Sequence, residues 1–187
     1  MRVNETFLSL QGEGHFTGTP AFFLRFAGCN LECPFCDTNH QTYHEMSEME
    51  IVEEASRHKP RHIVITGGEP ALQLTQSLVD KLHEAGFFVQ VETNGTMPLP
   101  EQIDWVTCSP KGTPVLKDAD ELKVLFKGDG TDLTIADHIQ AKEYRLQPLD
   151  TGNEEQNRII LRATIAYVLE HPRWSLSLQT HKMLGIK

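Results

Sequence analysis

Short apolar runs alternate with helix-patterned stretches along most of this chain, and nearly every run ends in a loop rich in Gly, Pro, Thr or Cys. "AFFLRFAG" (21–28), "RHIVITGGEP" (61–70), "FFVQVETNG" (87–95), "DWVTCSP" (104–110), "ELKVLF" (121–126), "EYRLQPLD" (143–150) and "WSLSLQ" (174–179) carry strand character. Between them, "SEMEIVEEASRH" (47–58) opens with Ser47 and a Glu three residues on, then sets Ile51, Val52 and Ala55 at helical spacing. "LQLTQSLVDKLHEAG" (72–86) has an apolar face and Gly86 as its C-terminal stop, and 153–171 reads as a third helix. This βαβ rhythm predicts an α/β fold with a mostly parallel sheet, open or curled into a partial barrel, two forms that periodicity does not separate. A chain of 187 residues with 39% apolar content suits one core, hence a single domain over 1–187. In such sheets a ligand sits beyond the carboxyl ends of the strands. The cysteine-rich loop, "TGGEP", "ETNG", "SPK" and "QPLD" all fall there, on one face.

Charge and hydropathy exclude several partners. A formal charge of −9 with no Lys/Arg run argues against nucleic acid, whose phosphates must be neutralised by basic side chains. No apolar stretch approaches the ~18 residues of a membrane span, and "MRVNETFLSLQGEG" does not read as an export signal. A cytoplasmic, membrane-free protein is expected. In a reducing compartment, clustered cysteines point to metal or cluster ligation and away from a disulfide framework. Three of the four cysteines, Cys29, Cys33 and Cys36, lie within "GCNLECPFC". Three thiolates at this spacing can wrap a compact iron–sulfide core and leave one iron open to an external ligand. A structural zinc completed by His40 or His44 uses the same residues, and a redox disulfide is a further alternative. Cys108, far downstream, reads as a buried small apolar residue at a strand end.

CxxxCxxC with an aromatic residue before the third cysteine, here Phe35 before Cys36, resembles the signature of radical S-adenosylmethionine enzymes. In that superfamily the open iron binds the cofactor, whose reductive cleavage gives a 5′-deoxyadenosyl radical. Thr66 to Pro70, "TGGEP", resembles its second motif, although alone it is also an ordinary strand-to-helix turn. "LSLQGEG", "CDTNH", "TGGEP", "VETNG", "SPK", "LQPLD" and "LQTHKMLGI" together, in this order and over nearly the whole chain, resemble the 7-carboxy-7-deazaguanine synthase family.

That resemblance implies a reduced, partial (β/α) barrel, and the weak helical pattern of 116–132 suggests trimming there. It implies ring contraction of 6-carboxy-5,6,7,8-tetrahydropterin to 7-carboxy-7-deazaguanine with loss of ammonia, using a [4Fe-4S] cluster, S-adenosyl-L-methionine and Mg2+. Cys29, Cys33 and Cys36 would hold the cluster. Phe35, Cys36, Asp37, Gly68, Glu69, Ser109, Pro110, Lys111, Gln147, Pro148, Leu149 and Asp150 would surround the cofactor. Leu10, Gln11, Gly12, Glu13, Arg25, Thr66, His181 and Lys187 would surround the pterin, and the Thr38 hydroxyl would meet the magnesium ion, a hard cation that takes oxygen ligands. Gln11 and Glu13 match the amide and amine groups of a pterin edge, Arg25 suits the substrate carboxylate, and the end of the chain, pinned by Leu184 and Ile186, would bring His181 and the Lys187 carboxylate to the same site. Plainer readings stand beside these: an exposed loop for Gln11 and Glu13, a snorkelling arginine, a turn threonine, a solvent-exposed tail. A flavodoxin-like electron donor and a homodimer are implied as partners. Two rival functions share the cysteines: a non-enzymatic zinc-binding module, and an activase of a glycyl-radical enzyme.

Overall fold

The computed structural model describes every residue except Asp37, His40 and Asp129. Among the described residues nine strands form one sheet: β1 (Arg2–Leu10), β2 (Pro20–Phe26), β3 (His44–Glu45), β4 (His62–Gly67), β5 (Phe88–Thr93), β6 (Trp105–Cys108), β7 (Asp118–Phe126), β8 (Gln140–Pro148) and β9 (Ser175–Leu176). Their order is β3-β1-β2-β4-β5-β6-β7-β8-β9. From β2 to β9 every neighbouring pair is parallel, while β1 runs antiparallel to both β2 and β3. The sheet is open, with β3 and β9 at its edges, and the fold is the mostly parallel α/β type that the sequence implies.

Side chains alternate across each strand, and the two faces differ in chemistry. Phe22 and Leu24 of β2, Ile63 and Ile65 of β4, and Val89 and Val91 of β5 are buried beneath α1 (Glu48–Ser56) and α2 (Gln76–Glu84). Leu122, Val124 and Phe126 of β7 and Leu146 of β8 lie in a second core with Ala163, Tyr167 and Val168 of α3 (Glu154–Glu170). The residues in between are largely polar: Arg25, Thr66, Gln90, Glu92, Thr107, Glu121, Lys123, Arg145 and Gln147. Pocket chemistry is therefore carried on the face that the helices leave free.

Local signals set the boundaries. Ser47 and Glu50 close a reciprocal capping box at α1, and Asn153 caps α3 by accepting the Gln156 N–H at 3.0 Å. The helix expected over 72–86 starts later. Pro70–Leu72 form a single 3-10 turn, and the Thr75 hydroxyl caps α2 at the Leu78 N–H. No helix separates β6 from β7, as the weak pattern of 116–132 suggested. β1 is a strand that the apolar pattern did not show, because most of it is only half buried. The chain ends in α4 (Thr180–Leu184). Among the described residues no helix is long and apolar enough to cross a membrane.

The apolar pin expected at the end of the chain is absent, since Leu184 is 63% and Ile186 39% exposed. Polar bonds hold the segment instead. The Thr180 amide and hydroxyl each donate to the Gly12 carbonyl at 2.9 Å, the Ser9 hydroxyl donates to the Lys187 carbonyl at 2.6 Å, and Lys187 Nζ donates to Glu5 at 2.6 Å.

Candidate active site

Five loops leave the carboxyl ends of β2, β4, β5, β6 and β8 around one cavity of about 430 Å3. Cys29, Cys33 and Cys36 line it from the loop after β2. The Cys36 amide donates to the Cys33 carbonyl at 3.0 Å, closing a tight turn between the second and third cysteines. Burial pushes the Cys33 thiol up, the nearby Lys111 ammonium opposes this, and the Cys29 and Cys36 thiols reinforce it. The loop is stitched to the one after β4: the Gly68 amide donates to the Phe26 carbonyl at 3.2 Å and the Glu69 amide to the Gly28 carbonyl at 2.9 Å. A Cβ on Gly68 would overlap the Gly28 carbonyl and the Cys29 Cβ, so only glycine permits this approach.

Glu69 is wholly buried, and its carboxylate is spent on the framework. It accepts from the Ala71 amide at 3.0 Å, the Thr93 hydroxyl at 2.7 Å and the Asn94 amide at 2.7 Å, tying the loops after β4 and β5 to each other. Further round the rim, Lys111 Nζ donates to the Ser109 hydroxyl at 2.5 Å. Burial, reinforced by the Lys123 charge, pulls the Lys111 ammonium down to about 8.

A second cavity of about 330 Å3 adjoins the first, and Glu13, Thr66, Gly67, Glu92 and Gln179 line both. Gln11, Arg25, Thr38 and His181 belong to the second alone. Arg25 Nε donates to Glu5 at 3.0 Å, and its NH1 reaches the Thr38 hydroxyl at 3.5 Å. Gly12 is required by packing: a Cβ there would overlap the His181 ring. At the shared wall, Lys123 Nζ donates to Glu13 at 2.5 Å and to Glu92 at 2.9 Å. Burial alone would raise the Glu13 carboxyl, yet the Lys123 ammonium, with Gln179 and Gln147, brings it to about 2.

The structure gathers most of the sequence-predicted residues at these two cavities. Phe35, Cys36, Gly68, Ser109, Lys111, Gln147, Leu149 and Asp150 line the first, and Leu10, Gln11, Gly12, Glu13, Arg25, Thr66, His181 and Lys187 line the second. Glu69, Pro110 and Pro148 line neither; Glu69 points into the protein, as its three bonds require. Asp37 lies outside the described residues, as does His40 of the zinc alternative, and His44 stands exposed on the edge strand β3. Cys108 is wholly buried at the end of β6 and burial pushes its thiol up to about 12, so it behaves as an apolar side chain. Sequence reasoning missed Glu92, Lys123 and Gln179. For Glu92 and Lys123 the available signal was a charged residue at an alternate position of an otherwise apolar strand; Gln179, beyond the end of β9, carried none.

The thiol-lined cavity fits an iron–sulfur group. Its donors are three sulfurs, which suit iron with sulfide. The class follows from comparison: the family model described as the Radical SAM superfamily matches residues 24–106, the span holding the cysteine loop and "TGGEP". A 7-carboxy-7-deazaguanine synthase of Bacteroides thetaiotaomicron is 48% identical over 188 residues, covering 100% of this chain and 98% of that protein. One from Bradyrhizobium diazoefficiens is 37% identical, covering 99% and 98%. The crystal structure of QueE from Escherichia coli superposes with a TM-score of 0.76 at 30% identity, covering 95% of this chain and 93% of that one. The chain belongs to the 7-carboxy-7-deazaguanine synthase family of radical S-adenosylmethionine enzymes. A [4Fe-4S] cluster, S-adenosylmethionine and a small-molecule substrate go with that membership.

Proposed function

We propose that this chain, acting as a single radical SAM domain over 1–187, converts 6-carboxy-5,6,7,8-tetrahydropterin to 7-carboxy-7-deazaguanine and ammonia. The observation that carries the reading is the pair of adjoining cavities, one lined by three thiols and the other by an amide, a carboxylate and an arginine, with a common wall. When bound, the cluster and S-adenosylmethionine supply the hydrogen-atom abstraction and return that a redox-neutral ring contraction needs. Cys29, Cys33 and Cys36 would hold the cluster, and backbone at Gly68 with Ser109, Lys111 and Gln147 would surround the cofactor.

The remaining work falls to residues of the second cavity. Ionised Glu13 accepts hydrogen bonds from the N–H edge of the pterin, and Gln11 stands beside it, its Nε2 donating to Glu92 at 3.2 Å and its Oε1 accepting from the Glu13 amide at 3.2 Å. Arg25 balances the substrate carboxylate, oriented by Glu5. The Thr38 hydroxyl, beside Arg25, suits a Mg2+ ion shared with that carboxylate, because magnesium takes oxygen ligands and keeps several waters. His181, packed on Gly12, closes the cavity on the side of Lys187. The reading also includes a flavodoxin-like electron donor, a homodimer and a cytoplasmic location. Anaerobic purification with iron and sulfide analysis, followed by incubation with the tetrahydropterin, tests it. Iron and sulfide near four each per chain with formation of the deazapurine acid support the reading; an iron-free protein, or one inert toward the pterin, refutes it.

A further inference from the structure

One cation stands at the wall between the two cavities, and the reading so far gives it no task. Lys123 lies in β7 with its side chain only 5% exposed. Its Nζ meets Glu13, from the segment after β1, and Glu92, from β5, and both carboxylates line both cavities. Their other oxygens are also committed: Glu13 Oε1 accepts from Gln179 Nε2 at 2.9 Å, and Glu92 Oε1 accepts from Gln90 Nε2 at 3.0 Å and from Gln11 Nε2. A third carboxylate, Glu121, sits two residues back on β7, is raised first by burial and then by the Glu92 charge, and has Arg145 of β8 at 3.6 Å. Around this group stand Lys111 after β6, Arg25 of β2 in the second cavity, His181 beside Gly12, and His62 of β4, which bonds Gln90 at 2.9 Å.

Two like charges that share a buried site cannot both ionise unless a cation compensates them. We propose that Lys123 is a positioning residue for substrate recognition: bonded to both Glu13 and Glu92, it holds Glu13 as a charged, fixed acceptor for the N–H edge of the pterin. The inference rests on the pterin reading of the second cavity. A purely structural ion pair need not face ligand space, whereas both partners of Lys123 do. Removal of the cation leaves Glu13 buried beside a second carboxylate with only its bonds from Gln179 and Gln147 to offset burial, so it becomes a poorer acceptor as pH falls. Replacing Glu92 with a neutral amide as well removes that second charge, which lessens the effect without removing the burial that raises Glu13.

The test is equilibrium binding of 6-carboxytetrahydropterin to the anaerobic, cluster-loaded enzyme with S-adenosylmethionine present and reductant omitted, so that no turnover occurs. Each variant is compared with wild type at each pH from 6 to 8, which cancels titration of the pterin itself. Wild-type turnover, assayed separately with reductant, decides the pterin reading on its own. Lys123→Met is expected to bind at least tenfold more weakly at pH 6, with the deficit shrinking toward pH 8. The double variant Lys123→Met/Glu92→Gln is expected to bind at least threefold more tightly than Lys123→Met at pH 6. A pH-independent deficit in Lys123→Met, or a double variant that binds no better than the single one, overturns the proposal. Should Lys123→Met fail to fold, the double variant decides: a deficit relative to wild type that shrinks from pH 6 to pH 8 supports the role and a pH-independent deficit overturns it.

Discussion

Glu69→Gln isolates one carboxylate that joins two loops of the first cavity. The amide can keep its carbonyl at the position of Oε1, where it accepts from the Ala71 amide and the Thr93 hydroxyl. Its NH2 then faces the Asn94 N–H, which now donates to Glu69 Oε2 at 2.7 Å. One buried bond to a charged acceptor, about 1.5–3 kcal/mol, is lost outright and leaves a donor against a donor. The two retained bonds weaken as the acceptor loses its charge, since charge-assisted bonds are roughly twice as strong as neutral ones. Together these give about 2–4 kcal/mol, which in a chain of this size lowers the melting temperature by about 5–15 °C. The loops concerned carry Gly68, Thr93 and Asn94, all lining the thiol cavity, so cofactor affinity falls with stability. Thermal melts of the anaerobic enzyme, with a titration of S-adenosylmethionine, read both effects. A variant that melts within 1 °C of wild type would refute the assignment of Glu69 to the framework.

Three other outcomes follow from the geometry. Cys29→Ala abolishes cluster content and cofactor cleavage, whereas Cys108→Ala retains iron and sulfide at the wild-type ratio, because Cys108 is buried away from the cavity; equal loss in both variants, read by iron and sulfide analysis, contradicts the three-thiol reading. Thr38→Ala lowers the stimulation of turnover by magnesium several-fold while leaving cluster content intact, and an unchanged magnesium titration removes the hydroxyl from the ion. Glu48 ties α1 to α2, its carboxylate held down at about 2 by the Thr75 hydroxyl first, then by Ser77 and Lys81. A depressed carboxyl stabilises the fold above its unfolded value near 4.5, and this contribution is lost as pH falls toward 2. Glu48→Gln therefore destabilises by about 1 kcal/mol at pH 7, allowing for solvent screening, with the gap closing between pH 4.5 and 2; denaturant melts that show a constant gap contradict the linkage.

The fold was legible where burial is one-sided and strong. Ile63 and Ile65, or Leu122 and Val124, announce strands because the helix face of the sheet is uniformly apolar. Ser47 and Asn153 announce helix starts because their caps are local and need no knowledge of packing. β1 was not legible: it pairs antiparallel with β2 near one edge, its residues Asn4 to Phe7 are only half buried and Leu8 is exposed. The late start of α2 escaped for a related reason, since Leu72 and Leu74 fit a helical face and only Thr75 marks the true cap. Within the site, the cysteine loop and "TGGEP" stand out because they follow successive strands at an interval of about one βαβ unit, a pairing that neither motif's plainer reading requires. Lys123 does not. An inward lysine on a strand has the same period of two as a solvent-facing one, so its partners Glu13 and Glu92, 110 and 31 residues away in sequence, emerge only from the sheet order.

The central claim is that the two cavities act as one site for ring contraction. The most direct test incubates the anaerobic, reduced, cluster-loaded chain with 6-carboxytetrahydropterin and substoichiometric S-adenosylmethionine, then quantifies the deazapurine acid, ammonia and remaining cofactor. The account predicts one ammonia for each 7-carboxy-7-deazaguanine formed, with many turnovers per cofactor because the abstracted hydrogen returns. Cofactor consumed one for one with product, or cleaved with no deazapurine formed, would contradict it.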